Sequence, residues 1–180
     1  MLPRNGREAW HATRSVRAMT LEDLAQALAA PGQPAVGLAA MDAALASLVG
    51  HRLFTVLLLD ESRTLNRRYH SSRPVEYPVG GYKPVQRGSD YYRRVVEAGE
   101  VRFCRNREEI IRAFPDHELI LSLGCESCVN VPVRWNGHTL GALNLLHAAG
   151  HYSEAQLPVL RLVAALAVAP LQWILDGPES

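Results

Sequence analysis

Cys125-Glu126-Ser127-Cys128 places two thiols at C-x-x-C spacing. Redox work by such a pair requires a helix amino terminus to lower a thiol pKa. A zinc site would require a second ligand pair, and no second C-x-x-C exists in the chain. If Cys128 lies in a strand, positions three apart face opposite sides of the sheet. Packing is therefore the plainer reading of this pair. Asn130 and Asn144 offer different chemistry: two carboxamides on neighbouring strands supply paired donors and acceptors for a small planar ligand. Hydrogen bonds to the local backbone are the competing use.

The loop before them is richer. Tyr69, Ser71 and Ser72 end one expected strand, and Tyr77, Tyr82 and Lys83 follow within about a dozen residues. Lys83 is the single lysine, against eighteen arginines, and could present a compact, tunable ammonium to an anion. A solvated surface lysine is the plainer alternative. Gly80-Gly81 permits unusual backbone angles and could turn N–H groups toward a ligand, or simply make a turn. No Gly-Lys-Ser/Thr follows, so this is not a phosphate loop. Asp116, His117 and Glu118 are consecutive and cannot all face one point, which favours a solvated helix cap over a metal site. His147 and His151 could chelate but read better as a strand end, and His70 reads as a half-buried strand histidine. The ligand-binding set is therefore Tyr69, Ser71, Tyr77, Lys83, Asn130 and Asn144, with no metal site expected.

Positioning these residues takes several elements. Thr20 caps a helix with Leu21, Leu24 and Leu28 at helical spacing, and Pro31-Gly32-Gln33-Pro34 stops it. Leu38, Met41, Leu45 and Leu48 predict a second helix from Ala35 to Val49. Leu53 to Leu59 is a continuous apolar run of strand length, and Leu65 to Ser71 is its hairpin partner. Residues 72–89 form a long loop with three prolines and three glycines; such loops are uncommon unless functional. A helix from Ser89 to Ala98, a strand Val101–Cys104 and a helix Arg107–Phe114 follow, then an ambiguous stretch 116–124. Ser127–Val133 and Thr139–His147 are strands joined through Asn136-Gly137, a pair suited to a type I′ turn. Ser153 with Gln156 opens a closing helix that is apolar nearly all round, with Pro158 and Pro170 limiting its regularity.

Composition sets the outer bounds. The chain has 180 residues, 48% hydrophobic and 21% charged, which suits one domain with a real core. A net charge of +1 provides no global field to recruit nucleic acid. Residues 1–18 carry a local excess of +3 and read as a flexible basic extension without a signal peptide's apolar stretch. The longest apolar run, Leu162–Leu171, is too short to span a bilayer. Three cysteines form no disulfide framework, so a cytoplasmic chain with reduced thiols is expected.

The element order, with Val129-Asn130-Val131-Pro132-Val133, Asn136-Gly137 and Leu140-Gly141-Ala142-Leu143-Asn144-Leu145, resembles a GAF domain. Tyr152-Ser153 followed by Leu157, Leu160 and Leu166 is similar to that family's closing helix. The resemblance covers about residues 35–172 and is most specific over 127–172. It implies an α+β fold: a PAS-like central antiparallel sheet, terminal helices on one face, and a loop-covered pocket on the other. The expected organisation is an extension at 1–18, a helix and linker at 19–34, the GAF domain at 35–176 and a tail at 177–180, leaving no room for an output domain. The family implies a bacterial-type signalling sensor that binds a small polar or anionic metabolite, with the cofactor identity open. It also implies a homodimer through the first and last helices; neither nucleic acid nor membrane is expected as a partner. An alternative comes from the free methionine-R-sulfoxide reductases, single GAF domains that use cysteines around the pocket. It would give Cys104, Cys125 and Cys128 catalytic roles. Where that family carries acids, however, this chain has Cys128-Val129-Asn130 and Leu143-Asn144-Leu145.

Overall fold

Leu53–Leu59 (β1) is buried along its whole length, because it runs through the middle of a sheet covered on both faces. The structure, a computed structural model, describes residues 18–177. The basic extension and the tail of the sequence reading therefore lie almost entirely outside the described residues. The other strands are Leu65–Ser71 (β2), Tyr82–Pro84 (β3), Arg102–Cys104 (β4), Ser127–Trp135 (β5) and His138–His147 (β6). They form one antiparallel sheet in the order β3-β2-β1-β6-β5-β4. The fold is α+β, as the sequence reading expected.

Helices Leu21–Ala29 (α1), Ala35–Leu48 (α2), Leu157–Leu166 (α5) and Val168–Asp176 (α6) lie on one face. Alternate positions of the central strands, among them Phe54, Val56, Leu58, Val129, Val131, Leu143 and Leu145, pack against Leu24, Met41, Leu45, Leu160, Val163 and Leu171 of those helices. Thr20 makes a reciprocal capping box with Asp23 at the start of α1. The last helical stretch, Glu154–Asp176, has a mean hydropathy of 1.7 and by length and composition could cross a membrane. Here Leu160, Val163, Ala164, Ala167 and Leu171 are buried in the core between helix and sheet. The single closing helix of the sequence reading is in fact two. Pro170 has no N–H to give the Leu166 carbonyl, and the helix breaks between Leu166 and Val168. Pro158 sits harmlessly in the first turn of α5.

A second tie joins helix layer to sheet. The Asp42 carboxylate of α2 meets His51 Nε2 at 3.0 Å and His70 Nε2 at 2.8 Å. The Phe54 ring lies 5.5 Å from the first imidazole and 5.6 Å from the second.

Two register irregularities matter for the other face. The β1–β2 pairing slips between Val56 and Leu57, so Val56 faces His70 but Leu57 faces Arg68, and Tyr69 is the extra residue. The β5–β6 hairpin turns through Asn136 and Gly137, both with positive φ (47° and 79°), as a type I′ turn requires. Leu140 is then the unpaired residue: Arg134 faces Thr139 but Val133 faces Gly141, which brings Asn130 opposite Asn144. Gly141 is obligatory there, since a Cβ would fall 2.0 Å from the Leu57 carbonyl oxygen.

The opposite face is covered by residues 72–98, by Arg107–Ala113 (α3) and by His117–Ser122 (α4). The predicted loop contains the short edge strand β3, and the predicted helix at 89–98 is mostly a π-helical segment, Tyr92–Glu97. The ambiguous stretch at 116–124 resolves as α4.

Candidate functional site

Between the sheet and this cover lies a cavity of about 920 Å³. Its floor is a polar row that crosses the strands. Arg102, Asn130, Asn144 and Thr55 occupy consecutive cross-strand partner positions on β4, β5, β6 and β1. Arg102 Nη1 donates to Asn130 Oδ1 at 3.0 Å, Asn130 Nδ2 donates to Asn144 Oδ1 at 2.7 Å, and Asn144 Nδ2 donates to Thr55 Oγ1 at 3.4 Å. Every member is buried. The two asparagines share one hydrogen bond and also bond to Arg102, Thr55 and the Ala142 carbonyl, and the row's cationic end is Arg102. Its Nε donates to Asp90 Oδ2 at 2.7 Å, a residue of the cover.

The loop side of the cavity is held by a clasp. The Asp116 carboxylate accepts the Tyr77 hydroxyl and, at 2.9 Å, Lys83 Nζ. Lys83 also lies 5.1 Å from the Tyr77 and Phe114 ring centroids. Burial pushes the Lys83 ammonium below its ordinary pKa, with Asp116 pulling the other way. Burial acts to raise the Asp116 carboxyl, but the Lys83 charge and the Tyr77 hydroxyl outweigh it and hold the group below the usual carboxylate range. Burial, reinforced by the Asp116 charge, drives the Tyr77 phenol far above its usual value. Asp116 is therefore no solvated helix cap: it ties the predicted loop to the segment before α4.

Arg68 and Asn66 of β2 complete the lining. The Arg68 guanidinium stacks on Tyr77 at 3.8 Å, and its Nη1 donates to the Pro78 carbonyl at 2.6 Å. Gly81 leaves it room, since a Cβ there would come within 2.9 Å of Nη1. The Gly80 N–H is spent on the Arg68 carbonyl at 2.8 Å, so this glycine pair presents no anion nest of the kind considered from the sequence. Asn66 Nδ2 donates to the Tyr91 hydroxyl at 3.3 Å. Burial pushes that phenol up to about 12.

Of the six ligand-binding residues expected from sequence, Tyr77, Lys83, Asn130 and Asn144 line this cavity. Tyr69 does not: the slip in β2 turns it toward the helix-side core. Ser71 lies opposite Thr55 on the cavity side, yet it ends outside the lining, and its Oγ accepts the Arg73 N–H at 3.2 Å. Sequence reasoning passed over Arg68 and Arg102, and it set Asp116 aside as a helix cap. Alternation within Arg102-Phe103-Cys104 would have put Arg102 and Cys104 on one face; for Arg68 and Asp116 the short sequence context carries no comparable signal.

The thiols form a different arrangement from the C-x-x-C pair. Cys104 and Cys128 are direct partners across β4 and β5, and Cys125 packs in the same apolar cluster with Leu53, Ile110, Ile120 and Leu146. A hydrogen bond from Cys128, aided by the Arg102 charge, holds the Cys104 thiol below its ordinary pKa. Burial pushes Cys125 up to about 11 and Cys128 well up. All three are buried, and none of them lines the cavity. His147 and His151 stack at 3.6 Å, with His151 Nε2 2.9 Å from the Val49 carbonyl. Among the described residues no cluster of His, Cys, Asp and Glu is disposed to hold a metal ion.

The GAF domain family model matches residues 33–171. No curated protein matches the chain. Among solved structures, the GAF domain of a phosphoenolpyruvate-protein phosphotransferase from Acinetobacter aligns at TM-score 0.70 and 18% identity, over 89% of this chain and 95% of that one. The corresponding domain from Coxiella burnetii aligns at TM-score 0.64 and 15% identity, over 87% and 90%. A far-red absorbing dark state with bound biliverdin IXa aligns at TM-score 0.66 and 15% identity, over 84% and 97%.

Proposed function

The chain belongs to the GAF domain family, whose members are small-molecule-binding sensor and regulatory domains, and from that premise we propose that it binds a small polar or anionic metabolite between the sheet and the 72–89 loop. The observation that carries this reading is the 920 Å³ cavity, with Arg68, Lys83, Arg102 and the two asparagines on its walls. A volume of this size suits a metabolite, and the few convergent polar groups would fix its orientation. Ligand contact with Tyr77 or Lys83 would tighten the clasp to Asp116, order the loop, and change the surface offered to a partner. Native mass spectrometry of freshly purified protein should reveal a retained small molecule. A thermal shift with that molecule should shrink in Lys83→Ala. Protein that retains nothing and responds to no metabolite in a broad screen would remove the sensor reading.

A second reading has one observation in its favour. Cys104 and Cys128 oppose each other across two strands, an arrangement in which one thiolate could attack a sulfoxide sulfur and the other resolve the sulfenic acid. It predicts turnover of free methionine-R-sulfoxide with a dithiol reductant, abolished in Cys104→Ser. Wild-type protein without turnover would reject it.

A further inference from the structure

Among the described residues, Arg68 is the one buried cation of the cavity wall that has no counter-charge. Its residue is 5% exposed, and a guanidinium stays charged at any physiological pH. Lys83 has Asp116 at 2.9 Å and Arg102 has Asp90 at 2.7 Å. Among the described residues no carboxylate lies within ion-pair distance of Arg68. Its Nη1 is committed to the Pro78 carbonyl, while its Nε is buried without a hydrogen-bond partner. Two residues earlier on the same strand face, Asn66 is 3% exposed, and its Oδ1 is likewise buried without a partner. A buried unpaired charge and two buried unpaired polar atoms are each unfavourable, and a ligand that answers all three at once removes the cost.

Their arrangement specifies that ligand. The free edge of Arg68 is Nε with Nη2, two parallel donors that match the two oxygens of a planar carboxylate. Asn66 Oδ1 can only accept, so the ligand must bring a donor beside its carboxylate. Tyr77, Asp116, Lys83 and Arg68 together sum to one positive charge, which one carboxylate neutralises. A phosphate dianion would overshoot it, and a zwitterion would leave it in place. Resting on the sensor reading above, we propose that the ligand is a monoanionic carboxylate with an uncharged donor next to it, a 2-hydroxy acid or an N-acylated amino acid, clamped side-on by Arg68 with its O–H or N–H turned to Asn66 Oδ1.

The test is calorimetric and thermal-shift titration of the full chain with lactate, mandelate and N-acetylglycine, beside propionate, alanine and inorganic phosphate. The first three should bind saturably. Propionate, lacking the donor, should bind about tenfold more weakly, and alanine and phosphate should not compete. Arg68→Lys keeps the charge but loses the fork and should weaken lactate at least as much. Asn66→Leu should bring lactate down to the level of propionate. The lactate–propionate comparison needs no variant, so it stands even if a substitution unfolds the protein. Equal binding of lactate and propionate, or lactate affinity unchanged in a folded Arg68→Lys, would overturn the proposal. Saturable binding of some other metabolite that depends on Lys83, with no carboxylate response, would overturn it while leaving the sensor reading intact. No binding of any metabolite would overturn both.

Discussion

Asp42 stands on α2 between two imidazoles, with a side chain only 22% exposed. Burial alone would raise its pKa, but hydrogen bonds and charge from His51 and His70 lower it from 3.8 to about 2. Its folded-state pKa is depressed, so its contribution is fully present above pH 3.8 and is lost as the pH falls toward 2. Asp42→Asn should cost about 2 kcal/mol near neutrality. It should also flatten the acid limb of stability between about pH 4 and pH 2, measurable by urea denaturation across that range. The asparagine row makes a separate prediction. Asn144→Leu takes the acceptor from the Nδ2 of Asn130, a residue only 1% exposed, and should destabilise by about 1–3 kcal/mol in the same assay. The adjacency of the strands carrying Asn130 and Asn144 was legible in the sequence, although the register of the Asn-Gly turn alone would set Asn130 against Leu143. It became exact opposition only through the unpaired Leu140. Arg68 and Arg102 were not legible. Arginines are common in this chain, and only the tertiary cover makes these two buried.

Whole elements place the clasp. The loop at 72–89 is held to the far wall by Asp116, and without that carboxylate Lys83 would be a buried ammonium with no counter-charge. Asp116→Asn should release the segment, and backbone hydrogen exchange over residues 77–84 should accelerate while β1 and β6 stay protected. Unchanged exchange there would show that the clasp does not hold the loop. At the sheet centre, Gly141→Ala would drive a methyl into the Leu57 carbonyl of the adjacent strand. The loss should lie at or beyond the upper end of the roughly 0.5–3 kcal/mol range of single substitutions. Apolar periodicity made the strands and terminal helices readable, since each buries one repeating face. The cover was less readable because its elements are short and the polar ties that hold it, Lys83 to Asp116 and Arg102 to Asp90, join residues remote in sequence. Neither β3 nor the π-helical segment leaves a periodic trace.

At the scale of the molecule, the terminal helices bury one stripe against the sheet and leave another uncovered. Val36 and Leu48 of α2, Leu162 of α5, and Trp173 and Leu175 of α6 are exposed. That stripe is where a homodimer would form, on α2, α5 and α6 and away from the cavity. The sequence reading named the first and last helices, but among the described residues α1 has no large exposed apolar side chain. Sedimentation should find a dimer that Leu162→Asp with Trp173→Asp converts to a monomer of unchanged helix content. A wild-type monomer at high concentration would exclude the arrangement. The extra residue at Tyr69 has a reach of its own. Because β2 is out of step on either side of it, Arg68 looks into the chamber while His70, two positions on, grips Asp42 in the helical layer. In an unbroken strand both would point the same way. A shortened chain lacking Tyr69 would make Arg68 and His70 neighbours in a regular ladder, so each would keep its face and its grip, and only the Tyr69 ring would be lost from the helix-side core.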